Sequence, residues 1–331
     1  MDDQSHPQLL PGLQVLERGA AEVQIGLDPR HAVVAGGLDP QVIEALRALD
    51  GRRTLRHLLG IAGEHTEEFK ELLTGLHRRG LLREADPKNR GGETGLWALR
   101  AGHRDDSERA RRRQCAVVVR GEGRLATAVA ALLATAGIGH IDVVADGTVG
   151  ADDLGSGLAE PDLGTPRRQA IAEAVHRVDP AIATTRLFGD RKPDLVLLTD
   201  AVVPAPEVLA ELMAAKTAHL PVRIRDGIGI VGPLVVPGRT SCLTCADLHR
   251  TELDQSWPRI AGQLAGRAQQ ACLADVQSCA SLAAAQTLRV LGADREPPPV
   301  WNTTLELDAY AGTVKNRWWP PHAKCQCRAR R

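Results

Sequence analysis

The sequence predicts an α/β protein in two parts. A Rossmann-like domain built on a mixed sheet occupies residues 115–331, and a small α+β domain of winged helix-turn-helix type precedes it over residues 1–86. Three observations predict this. A buried strand, a Gly-x-Gly-x-x-Ala turn, an alanine-rich helix and a second strand follow one another within residues 115–144. Strand and helix patterns keep alternating beyond it to about residue 224. Ahead of it, three short strands and then three helices fill the first 86 residues.

Composition allows such a molecule and excludes several others. The 331 residues, 43% apolar and 25% charged, suffice for two cores and rule out disorder throughout. Lys+Arg and Asp+Glu balance at 41 each, so the chain carries no overall basic footprint for nucleic acid. Aromatics make up only 2%, which leaves Ala, Val, Leu and Ile to build the core. No apolar run approaches the ~18–20 residues that cross a bilayer. The Met1-Asp2-Asp3-Gln4-Ser5-His6-Pro7 start is acidic and polar, unlike a signal peptide. A cytoplasmic protein without membrane contact is therefore expected.

In the first domain, extended segments fall at 13–16, 22–27 and 31–35, with Val23, Ile25 and Leu27 alternating as in a half-buried strand. Asp28-Pro29-Arg30 supplies a turn, so the second and third segments should form a hairpin. Asp39-Pro40 should cap and begin a helix bearing Val42, Ile43, Leu46 and Leu49. Thr54 caps a second helix with Leu55, Leu58 and Leu59 inward. A third starts near Thr66 with Glu67 and Glu68 in its first turn and Phe69, Leu72, Leu73 and Leu76 on one face, and Gly80 ends it. Such folds often bind DNA, but residues 1–86 hold 14 acidic and 10 basic side chains, a net −4. Phosphate recognition needs the opposite sign. What remains is either a plain packing module or a strand edge beside a helix, able to accept an extended peptide.

Residues 87–114, with Gly91, Gly92, Gly95 and the run Arg111-Arg112-Arg113, read as a linker. Then Cys115-Ala-Val-Val-Val119 is a strand of the buried parallel kind. Gly121 should make the tight turn, Gly123 allow close backbone approach, and Ala126 fit where helix meets strand; amides at the helix start can receive phosphate. A second strand covers 138–144. Helices at 167–178 and 206–215 alternate with strands at 194–200 and 222–224. Asp200 ends its strand where open α/β sheets keep ligand-contacting residues, a place also used by ordinary turn and capping residues. A further helix is expected over 275–291 and a strand over 303–308. Trp318 and Trp319 are expected to pack over the cysteine-rich tail or a subunit contact.

Cys242-Leu-Thr-Cys245 and Cys325-Gln-Cys327 carry the sharpest chemistry. Each pair can offer two thiolates, and four thiolates complete a closed tetrahedral zinc site of structural type. The alternatives are four reduced thiols, or His322 standing in for one ligand. Cys115, Cys272 and Cys279 read as small core residues.

These motifs resemble the ThiF/MoeB family of ubiquitin-activating-like adenylyltransferases. The resemblance rests on Gly121-x-Gly123, Thr199-Asp200, Cys242-x-x-Cys245, the helix near 281–291 and the terminal cysteine pair. With its front domain the chain is most similar to the divergent branch that assists YcaO enzymes in making azol(in)e-containing ribosomal peptides. The segments Gly232-Pro233-Leu234, Asp247-Leu248-His249-Arg250 and Trp319-Pro320-Pro321-His322 match that branch. The resemblance implies a homodimer and a front domain that adds a precursor's leader as a strand, beside the structural Zn expected from the cysteine spacing. His31, Val33, Val34, Phe69, Leu72, Leu73 and Leu76 would line that groove. It also implies that ATP with Mg, if bound, would meet Gly121, Gly123, Asp146, Arg167, Arg168 and Asp200. The family's Asn-Leu-x-Arg-Gln segment is replaced here by Asp153-Leu154-Gly155-Ser156-Gly157, so the phosphate-clamping arginine is missing.

The expected function is accordingly a non-catalytic scaffold that presents a precursor peptide to a YcaO-type enzyme, with no catalytic residues of its own. The alternatives are a working adenylyltransferase of a ubiquitin-like or sulfur-carrier C-terminus, and a nucleotide-sensing winged-helix regulator.

Overall fold

Side-chain caps start the early helices where the sequence places them. In the computed structural model, Asp39 accepts the Gln41 amide at 2.8 Å and Thr54 the His57 amide at 3.3 Å, each closing an otherwise orphaned first-turn donor. The structure describes residues 2–85, 95–102, 105–187, 191–268, 270–293 and 296–328. The chain divides into two units, Met1–Ala110 and Arg111–Arg331.

The first unit opens with β1 (Pro7–Leu9), β2 (Val15–Gly19), β3 (Glu22–Ile25) and β4 (Val33–Gly36). Then come α1 (Pro40–Arg47), α2 (Leu55–Ala62), α3 (Thr66–Arg78), β5 (Leu82–Glu84) and α4 (Gly95–Arg100). Strands β2, β3 and β4 form an antiparallel sheet in that order, the expected hairpin being β3–β4. The pairing of β1 with β5 was not expected. Alternation puts Val23 and Ile25 of β3 into the core, where Val42, Leu46, Leu58, Phe69 and Leu76 from the three helices meet them.

The described residues of the segment expected as a linker are mostly helical, while 87–94, 103 and 104 lie outside them. It contains α4 and then α5 (Asp105–Gln114). Ala98 and Leu99 of α4 are buried, and α5 buries Glu108 and Arg112 rather than apolar side chains. A helix that buries charges shows no hydrophobic period, which explains the misreading.

The second unit continues with β6 (Ala116–Arg120), α6 (Arg124–Thr135), β7 (His140–Val144), α7 (Arg167–Val178) and β8 (Leu195–Thr199). Next are α8 (Pro206–Ala214), β9 (His219–Arg225), β10 (Ile228–Val231), α9 (Leu243–Leu253) and α10 (Trp257–Leu264). Last come α11 (Leu273–Leu291), β11 (Thr303–Asp308) and β12 (Thr313–Trp318). One mixed seven-stranded sheet runs β12-β11-β10-β9-β8-β6-β7. Strands β7, β6, β8 and β9 pair in parallel, and β9 through β12 are antiparallel. The parallel half is the Rossmann-like portion, with its strands buried as apolar runs. No helix among the described residues is long and apolar enough to cross a membrane. The adjacent tryptophans part company: Trp318 is exposed at the end of edge strand β12, whereas Trp319 is buried and donates Nε1–H to Thr304 Oγ1 at 3.1 Å.

Phe69 is fully buried in the first core. Phe69→Ala should cost about 3–5 kcal/mol of unfolding free energy. Val34→Ala, at an exposed position, should cost within about 0.5 kcal/mol. Denaturant titration of both variants checks this, and equal losses would contradict the core assignment.

Candidate functional site

Three places answer to the expected sites: a groove in the first unit, and a cleft and a cysteine cluster in the second. The groove lies between β4 and α3 and has a volume of about 630 Å³. Among the described residues strand β4 pairs only with β3, which leaves its other edge without a ladder partner there. Val33, Leu72 and Leu76 line the groove, joined by Val23, Ile25 and Leu46. The other expected lining residues stand elsewhere. Phe69 and Leu73 are buried in the core and support α3 from beneath. Val34, one residue out of phase with Val33, faces the opposite side and is exposed. His31 sits in the turn before β4, where its amide donates to the Asp28 carbonyl, and it does not line the groove.

At the carboxyl ends of β6 and β8, the glycine turn meets Asp200. A Cβ on Gly121 would collide with Thr199 Oγ1 and Asp200 Oδ2, so the close approach sits at Gly121. Gly123 donates its amide to Asp200 Oδ2 at 2.9 Å. Asp200 adopts a left-handed backbone (φ 74°), a conformation that Asp and Asn accept more readily than most residues. Burial pushes its carboxyl above the ordinary range, against hydrogen bonds from the Gly123 and Glu122 amides and the Thr199 hydroxyl.

The cleft beside this turn has a volume of about 260 Å³. Glu122, Asp152, Asp153 and Asp200 line it, against Arg124 and Arg167. Arg167 is already engaged: its Nε lies 3.0 Å from Asp153 Oδ2, and its Nη1 reaches the Asp146 carbonyl at 3.1 Å. Asp146 contributes that backbone oxygen and does not line the cleft. Arg168 turns away to Asp142 Oδ1 at 3.5 Å and the Thr184 carbonyl at 3.2 Å. Ser156 is buried and accepts a hydrogen bond from Gln277 Nε2 at 3.1 Å, so it offers the cleft nothing. The carboxylates could hold Mg, but the triphosphate itself fits this donor set poorly. Carboxylates outnumber guanidiniums, and the Arg167 charge is spent on Asp153. Arg124 escaped the sequence reading, although a charged residue just after Gly123 was its signal; its Nε is buried without a hydrogen bond.

All four expected cysteines come together. Cys242 Sγ lies 3.9 Å from Cys245 Sγ and 3.6 Å from Cys325 Sγ, and Cys245 lies 3.6 Å from Cys327. Bonds of ~2.3 Å to a tetrahedral Zn set sulfurs about 3.75 Å apart, so the cluster fits that ion. Cys242 caps the start of α9, whose positive end favours thiolates. Burial pushes the Cys242 thiol up to about 12 and those of Cys325 and Cys327 to about 11. At Cys245 burial is outweighed by hydrogen bonds that lower the thiol, so a bound cation would chiefly favour the thiolates of the other three. Bound there, Zn would pin the tail to α9 with no coordination position left over. His322 is not a fourth ligand. Its Nδ1 accepts the Lys324 amide at 3.1 Å and its Nε2 contacts Glu252 Oε1 at 2.9 Å, bracing the same tail. Cys115 and Cys279 are buried as expected, whereas Cys272 is exposed.

Two outcomes follow from these geometries. Asp200→Asn should raise the melting temperature at pH 7, because the folded state raises the Asp200 pKa and so disfavours its ionised form. The gain should vanish as pH falls through the ordinary value of 3.8, where both states are protonated. A pH-independent difference would count against the buried charge. Cys242→Ser should lower bound Zn from about one per chain to near zero by elemental analysis, with a lower melting temperature; full Zn content in the variant would refute the ligand set.

Residues 99–329 match the ThiF family. Protein HesA of Leptolyngbya boryana is 28% identical over 186 residues, covering 53% of this chain and 66% of its own length. The vegetative Protein HesA of Trichormus variabilis is 24% identical over 180 residues, 51% of this chain and 67% of its own. Among solved structures, E. coli MccB with ATP superposes at a TM-score of 0.66 with 16% identity, over 97% of this chain and 99% of that one. A heterocyclase in complex with substrate and cofactor superposes at 0.63 with 18% identity, over 97% of this chain and 39% of that one. At these identities the structural likenesses are likenesses of fold. Since the family match runs across the whole seven-stranded sheet and through the cysteine cluster, this chain belongs to the ThiF family.

Proposed function

We propose that the chain is a non-catalytic ThiF-family scaffold for ribosomal-peptide maturation. Its first unit, read as a winged-helix recognition domain over residues 1–86, takes an extended precursor leader as an added strand along β4 and presents it to a YcaO-type enzyme. The observation that carries this reading is the free edge of β4 beside an apolar groove. Unpaired backbone groups on such an edge supply affinity, and the pockets between Val33 and Leu72 supply side-chain selectivity. The reading is supported by the likeness to E. coli MccB, which has been solved with MccA, and to a heterocyclase solved with its substrate.

The poor fit of the cleft to a triphosphate favours presentation over activation, because phosphoryl chemistry depends on positioned cations. Zn is assigned a structural role at Cys242, Cys245, Cys325 and Cys327. A homodimer through the second unit belongs to the same reading, with the fully exposed edge strand β12 offering surface for it.

One observation favours the adenylyltransferase alternative: the Gly123–Asp200 contact is intact and Arg124 points a buried, unpartnered Nε beside it. ATP–pyrophosphate exchange with candidate carrier proteins separates the two. The scaffold reading expects no exchange above background, and carrier-dependent exchange would overturn it.

For the groove, fluorescein-labelled candidate leader peptides should bind the full chain with micromolar or tighter affinity by anisotropy. Leu72→Glu should weaken binding at least about tenfold, equivalent to ~1.4 kcal/mol, with a melting temperature close to that of the parent. Binding unaffected by Leu72→Glu would remove the groove from the account.

A further inference from the structure

Three arginines converge on a small cavity that none of the functions above uses. Side chains on β9 alternate across the sheet, so Ile224 faces the Asp200 cleft while Arg223 and Arg225 face the opposite side. There they line a cavity of about 60 Å³ together with Arg250 and Asp247 of α9, Trp257 of α10 and apolar Leu243. The cavity lies at the carboxyl edge of the parallel strands, just past the end of β8.

Charge is out of balance in it. Arg223 is only 6% exposed, and among the described residues its one hydrogen bond runs from Nη1 to the Gly232 carbonyl at 3.3 Å. Its Nε and Nη2 have no hydrogen-bond partner among those residues. Arg225 makes no hydrogen bond or ion pair among the described residues. Asp247 attracts Arg223 electrostatically, but it is shared with other donors. Its Oδ1 already takes Arg250 Nη1 at 2.9 Å and Trp257 Nε1 at 3.0 Å. Arg250 is held further by the faces of Trp257 and Trp319, with its Cζ 5.2 and 4.4 Å from their ring centroids. Burial, followed by the charges of Arg250 and Arg225, pulls the Arg223 guanidinium down to about 9, so it stays protonated at neutral pH. One shared carboxylate leaves the three guanidiniums of this cavity short of balancing charge, and an anion bound there would offset the cost of burying them.

We propose that this cavity is a carboxylate-binding site. Arg223 and Arg225 grip the oxygens of a carboxylate, supplied by an acidic side chain or by a chain terminus, while the apolar wall around Leu243 takes its short carbon stem. Paired guanidinium donors match carboxylate geometry. A volume near 60 Å³ suits a carboxyl group with one or two carbons, and half-apolar walls suit an organic anion better than an inorganic one. The inference is independent of the leader groove, which lies in the other unit.

The test uses the full chain and follows melting temperature and tryptophan emission, since Trp257 borders the cavity. Propionate should raise the melting temperature saturably, beyond chloride and phosphate at matched ionic strength. Arg225→Gln should weaken the apparent affinity at least tenfold, while Arg239→Gln, which removes an arginine outside this cavity, should leave it unchanged. Arg223→Met provides a second variant, expected to abolish the propionate response. N-acetylaspartate α-amide, with only its side-chain carboxylate free, and N-acetylalanine with its free terminus then distinguish the two sources; a response to either supports the site. A response that tracks ionic strength alone, that favours phosphate, or that survives in Arg225→Gln would overturn it.

Discussion

A guanidinium that lies 3.0 Å from one carboxylate is poorly placed to neutralise a phosphate as well, and the second unit is organised around that constraint. Arg167 stands at the first turn of α7, aimed at the cleft where a nucleotide would lie, yet Asp153 holds it. Asp153 in turn takes the Gly150 amide at 2.8 Å, so the same carboxylate shapes its own loop and occupies the arginine. Ser156, three residues on, is satisfied by Gln277. Asp153, Arg167 and Ser156 thus already have protein partners, and a polyanion seeking Arg167 would have to break existing bonds before forming new ones.

The two units use strand ends and strand edges differently. In the second, parallel strands bury their faces and expose only their carboxyl ends, which concentrates backbone amides and Asp200 at one rim. In the first, a three-stranded sheet leaves a whole edge of β4 available, and the adjoining helix gives that edge an apolar wall. An edge of this kind is a hazard when flat and long. Here β4 spans four residues, and charged Glu68, Lys70, Glu71 and Arg78 on α3, with Arg79 just past its end, rim the groove, which limits what can add to it.

Much of this was legible before any coordinates. Asp39-Pro40 and Thr54 announced their helices through local capping chemistry, and the Gly121 turn with its flanking strands declared the Rossmann-like half. The cysteine pairs stood out because thiols spaced for one turn have few other uses in such a chain. What escaped has physical reasons. Strands β1 and β5 have three residues each and find each other across more than 70 positions, so no local pattern marks them. Helix α5 buries Glu108 and Arg112, which periodicity reads as solvent-facing. Helical spacing put Phe69, Leu72, Leu73 and Leu76 on one face without saying which would border a groove. Arg167 and Arg168, neighbours about 100° apart on a helix, could not both face the cleft. The arginines on β9 gave no signal at all, because an alternating Arg-Ile-Arg pattern is what a half-exposed strand would also show.

The separation of the cysteine pairs also sets an order on the chain's making. Cys325 and Cys327 leave the ribosome some 80 residues after Cys242 and Cys245. At about 5–20 residues per second, that is a delay on the order of 4–16 s. During it the first two thiols, at the start of α9, have no sulfur partners besides each other. The nascent second unit thus passes through a stage in which most of its sheet is synthesised while only two of the four clustered thiols are present.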